Sequence, residues 1–64
     1  MKNIEPKVND YARYSITEAA TLLGIHRTSL WRYTMQGLIP CKYFRNGRKF
    51  YLGKEIIKFW KTIN

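Results

Sequence analysis

Acidic side chains are scarce: four Asp and Glu against twelve Lys and Arg in 64 residues. There is one cysteine, Cys41, and one histidine, His26. A single cysteine excludes an internal disulfide and a cysteine-based zinc site, and His26 has no partner at metal-ligand spacing. No metal site and no cofactor are expected. No apolar run approaches the roughly 20 residues of a membrane span, and the N-terminal residues lack the apolar core of a signal peptide. The sequence reads as cytoplasmic. Catalysis also lacks its materials. The sequence has no glycine-rich phosphate loop and no nucleophile beside a base, and two of the four acids have structural explanations. Glu18 belongs to a helix cap and Glu55 to the first turn of a helix. An enzyme is not expected.

What the chain has is positive charge, unevenly placed. The formal net charge is +8, and residues 38–64 carry seven basic and one acidic side chain, or +6 of that total. Basic residues also keep small proteins soluble. An excess gathered in one half favours a polyanionic partner such as DNA, RNA or an anionic membrane. Aromatics make up 16% of the residues, which helps a chain this short to build a core.

Residues 1–13 mix charges with one proline and show no apolar period, so a flexible arm is expected there, with one domain over 14–64. Ser15-Ile16-Thr17-Glu18 is a capping box. Behind it Ile16, Ala19, Ala20 and Leu23 recur at i, i+3, i+4, i+7, and Gly24 closes a two-turn helix. A second helix opens after His26, with Leu30, Tyr33 and Thr34 on one face, and ends at Gly37 before Pro40. Two helices joined by Gly24-Ile25-His26 form a helix-turn-helix. Asn46-Gly47 lies between β-prone runs at 41–45 and 48–52, a strong hairpin signal. A last helix from Lys54 places Ile56, Phe59, Trp60 and Ile63 on one stripe. The expected fold is mainly α with a small β-hairpin: a winged helix-turn-helix closed by a C-terminal helix.

Two groups of residues are candidates for nucleic-acid contact. Arg27, Thr28, Ser29 and Arg32 lie on the N-terminal half of the second helix, which in helix-turn-helix docking faces the major groove. Lys42, Arg45, Asn46, Arg48 and Lys49 form the flank and tip of the hairpin, suited to phosphates or a narrow minor groove. Each group has an ordinary counterpart, a solvated helix face and a charged tip that discourages edge pairing. Trp60 reads as core. Trp31 fits either packing on the hairpin or a place near the DNA backbone, and His26 fits a helix cap.

Residues 14–60 resemble the excisionase-type DNA-binding domain, a winged helix-turn-helix related to the N-terminal domain of MerR-like regulators. The matching residues are Glu18-Ala19-Ala20 and Leu22-Leu23-Gly24-Ile25, then Arg27-Thr28-Ser29-Leu30-Trp31-Arg32, Gly37 with Pro40, and Gly47-Arg48. His26 stands where the family usually has a small hydroxyl cap, and Tyr33 and Thr34 stand where aliphatics are common. The resemblance implies that the second helix enters the major groove of double-stranded DNA and that the wing contacts the adjacent minor groove or backbone. It implies an excisionase, or recombination directionality factor, working with the site-specific integrase of a mobile element. Cooperative self-association on DNA is a further expectation of that reading. A small MerR-like transcriptional regulator remains the alternative, and a winged helix that binds protein without DNA stands behind both. No coiled coil follows the wing, which weighs against a MerR-type sensor.

Overall fold

A computed structural model describes residues 5–63. The elements run β1 (Arg13–Tyr14), α1 (Ile16–Leu23), α2 (Arg27–Met35), β2 (Lys42–Tyr43), β3 (Lys49–Leu52) and α3 (Gly53–Ile63). This is a winged helix-turn-helix: three helices and a small antiparallel sheet of strand order β1-β3-β2.

The capping box forms at the start of α1. Ser15 Oγ accepts from the Glu18 amide at 3.1 Å, and Glu18 Oε1 accepts from the Ser15 amide at 2.9 Å. Two amides that α1 cannot bond internally are thereby satisfied. α1 and α2 end alike. The Ile25 amide donates to Ala20 O and the Leu38 amide to Tyr33 O, each 3.0 Å, across a left-handed glycine. The first of these closures turns the chain into α2. His26 caps α2, its Nδ1 accepting from the Thr28 amide at 3.1 Å.

Ala19 and Ala20 are buried, and these small side chains let α2 approach α1 closely. Around them the core gathers Leu23, Leu30, Ile39, Tyr51, Ile56 and Phe59. The Tyr33 ring meets the Phe59 ring at 5.2 Å between centroids. Trp60 is partly buried against this core, as its place on the apolar stripe of α3 predicts.

Two expectations are corrected. The flexible arm expected over residues 1–13 does not reach its C-terminal end. Arg13 pairs with Leu52 and Tyr14 with Tyr51, adding a third strand to the wing. Upstream, Ala12 O accepts from the Gly53 amide at 3.1 Å and Asp10 O from the Lys54 amide at 2.9 Å. These carbonyls satisfy amides in the first turn of α3, for which the described residues provide no side-chain cap. Gly53 is required by this approach, since a methyl group there would collide with the Asn9 carbonyl oxygen. A two-residue strand carries no period, and its partners lie far along the chain, so sequence pattern does not reveal it.

The second correction concerns the hairpin tip. Strands 41–45 and 48–52 would leave a two-residue loop with both Asn46 and Gly47 at positive φ. Only Gly47 is, at φ 89°. The Gly47 amide donates to Phe44 O at 2.9 Å and the Phe44 amide to Arg48 O at 2.8 Å, so the loop is Arg45-Asn46-Gly47. Asn46 Oδ1 takes the Arg48 amide at 3.0 Å, an interaction that favours this turn. The register shifts by one residue: Tyr43 faces Lys49 and Lys42 faces Phe50. Because faces alternate along a strand, Phe44 joins Phe50 on the outer face while Lys49 and Tyr51 point to the helices.

Candidate nucleic-acid interface

Leu30 is buried beneath α2, so the helix presents its opposite side to solvent. Arg27, Thr28, Arg32 and Met35 are exposed there. Arg27 and Trp31 are spaced i, i+4, as are Thr28 and Arg32, so these side chains form two adjoining rows. Ser29 is half-buried, the least accessible of the four candidates on this helix.

The hairpin reaches α2 through its inner face. Tyr51 is fully buried, and its phenol lies 2.6 Å from Thr34 Oγ1. Thr34 spends its only hydroxyl proton on Leu30 O, 2.9 Å away, so Tyr51 must donate and Thr34 accept. Burial pushes the Tyr51 phenol above its ordinary value of 10.0. Two residues earlier on the same strand face, the Lys49 ammonium sits over the Trp31 ring, 5.0 Å from its centroid. The wing is therefore bound to α2 at two levels, by a buried hydrogen bond and by an outer cation–π contact.

This contact decides between the two readings of Trp31: the indole packs against the hairpin. It also changes what Lys49 does. The ammonium belongs to the seam between wing and helix rather than to the tip. Arg45 and Arg48 are exposed at the tip, Lys42 is exposed on the flank, and Asn46 gives its side-chain oxygen to the turn. The Trp31–Lys49 contact thus links the exposed side of α2 to the wing. Among the described residues, no three His, Cys, Asp or Glu side chains gather where a metal ion could be held.

A family model described as a helix-turn-helix domain matches residues 13–62, which covers both helices, the wing and nearly all of α3. The chain belongs to this helix-turn-helix family. It is a DNA-binding family that includes excisionase-like members. No curated protein and no solved structure gives a significant match to the chain. No helix among the described residues is long and apolar enough to cross a membrane.

Sequence reasoning overlooked one residue of this helix-turn-helix domain. Arg13 was assigned to the arm, yet its guanidinium carbon lies 5.3 Å from the Phe50 ring centroid and 5.5 Å from that of Phe44. The two rings are 4.4 Å apart and tilted by 40°. Phe50 is buried although it stands outside the main core, so the outer face of the sheet holds a small aromatic cluster of its own. The local signal was the Arg-Tyr pair directly before the capping box. It could be read only once β1 was known to pair with β3.

Proposed function

We propose that this chain is a sequence-specific double-stranded DNA-binding protein that acts as an excisionase, directing a site-specific integrase toward excision of a mobile element. The observation that carries the DNA-reading part is the joining of α2 to the wing through Trp31 and Lys49, which fixes two cationic elements at one angle. A helix and a wing held in this way suit a major groove and the backbone beside it. Arg27, Thr28 and Arg32 are the base-reading side chains in this proposal, with Ser29 a lesser contributor. Arg45 and Arg48 grip phosphate or the minor groove from the tip, and Lys42 adds charge on the flank. Asn46 shapes the tip, and Lys49 positions it. The excisionase role is supported by the family, which includes excisionase-like members. Cooperative binding of several copies, and action in the nucleoid, go with that role.

Selection of duplex sites from a random pool, by the purified protein at two salt concentrations, tests the DNA reading. Enrichment of a common sequence supports it, and recovery of an unenriched pool counts against it. An excision assay with the cognate integrase separates the two roles. Excision that needs this protein supports the directionality factor. Unchanged excision together with altered transcription near the selected sites would make it a regulator.

A further inference from the structure

The outer face of the wing carries a cation that the α2 surface does not use. Arg13 is exposed, yet its guanidinium is held in place by the Phe44–Phe50 pair. Among the described residues it makes no hydrogen bond or ion pair. A guanidinium held over aromatic rings, with no hydrogen-bond partner among the described residues, keeps its N–H groups available, the form in which arginine bonds phosphate. An open groove of about 320 Å³ adjoins the stack, and Arg13, Asn46, Arg48, Ser15 and Glu18 are among the residues that line it. The one acid there, Glu18, has an oxygen engaged by the Ser15 amide. Arg13 and Arg48 therefore border one groove, Arg13 beside Leu52 at one end of β3 and Arg48 at the other.

We propose that Arg13 is a further DNA-contact residue: it grips a backbone phosphate on the outer side of the wing, next to the phosphate held by Arg48. The inference rests on the DNA-binding reading above and extends the contact surface to β1. The ring pair fixes the guanidinium before DNA arrives, so little side-chain freedom remains to be lost on binding. The contact is to backbone, and its effect is the same for every sequence.

The test compares Arg13→Ala, Arg13→Lys, Arg27→Ala and Arg48→Ala with the parent, on one selected duplex across a salt series. Thermal melting of each variant and phosphate-ethylation interference are measured in parallel. Arg13→Ala should weaken binding several-fold, reduce the salt slope by about one unit, and remove one ethylation-sensitive phosphate beside the wing. Arg13→Lys should keep the slope and recover part of the affinity, because it retains the charge without the guanidinium's fork of donors. If Arg13→Ala melts lower but binds with unchanged affinity, slope and footprint, Arg13 only covers the aromatic pair and the inference is overturned. The same result would be met if this face served an acidic protein. If Arg27→Ala and Arg48→Ala are equally silent, the DNA reading fails as well; silence at Arg13 alone overturns only this inference.

Discussion

The Lys49 ammonium lies 5.0 Å from the centre of the Trp31 ring and ties the wing to the exposed side of the second helix. A contact of this kind at an exposed site contributes about 0.5–1 kcal/mol. That is small for stability but acts on geometry, because in the proposed function the two elements meet DNA together. Trp31→Ala should weaken DNA binding several-fold with a modest loss of melting temperature, and Trp31→Phe should keep most of the affinity. Fluorescence anisotropy on a labelled duplex measures both. Equal affinity for the alanine variant and the parent would show that the wing needs no such tie.

Arg27 and Arg48 should fail in different ways. Loss of a base-edge contact by Arg27→Ala should cost about 1–3 kcal/mol and relax the preferred sequence. Loss of a phosphate contact by Arg48→Ala should weaken every sequence alike and flatten the salt slope by about one unit. Gel-shift titration on specific and scrambled duplexes distinguishes the two patterns.

His26 caps the second helix through Nδ1. His26→Ala should destabilise the domain by about 0.5–2 kcal/mol, while His26→Ser should restore most of that, because a serine hydroxyl accepts from the same turn. Urea denaturation gives the comparison. A serine variant no more stable than the alanine one would assign the histidine a different role.

Gly53 begins the third helix against the Asn9 carbonyl. Gly53→Ala would ordinarily favour a helix. Here the added methyl must push the 9–12 segment away and break its bonds to the first turn, so a net loss of about 1–3 kcal/mol is expected. A thermal melt showing the alanine variant to be the more stable would contradict the close approach.

Tyr51 donates to Thr34 from a fully buried position. Tyr51→Phe should cost about 1 kcal/mol near neutral pH, the usual worth of one hydrogen bond. Burial raises the folded-state pKa of this phenol above 10.0. Its contribution is therefore complete below the unfolded-state value and is lost as pH climbs toward the folded-state one. Stability of the parent should fall more steeply above about pH 10 than that of Tyr51→Phe, as chemical denaturation at several alkaline pH values will show.

Much of this arrangement was legible in the sequence because it rests on local chemistry. The capping box of Ser15 and Glu18, the turn at Gly24 and the apolar stripes of the helices each depend on residues within one or two turns of each other. The hairpin was legible for the same reason, but its register was not. Asn46 and Gly47 suit two kinds of turn, and the one adopted is accompanied by a hydrogen bond that the Arg48 amide donates to Asn46 Oδ1. Contacts between distant residues were also hidden. Nothing near Trp31 announces Lys49, and nothing near Arg13 announces Phe50. Ile39 shows the same limit: it is almost completely buried between Leu38 and Pro40, both exposed, with no periodic pattern to mark it.

The pairing of Arg13 with Leu52 spans most of the domain, and both helices and the hairpin lie inside the loop that it closes. Closing a loop of that length costs entropy before any contact repays it, so topologies of this kind order their distant pairs late. The helix pair, with its short-range contacts, can form early. The sheet is complete only when β3 can pair with both β1 and β2. A nascent chain that has not yet emitted Leu52 therefore lacks the partner of Arg13, and the sheet that joins the two ends of the domain closes only when nearly all of it has been made.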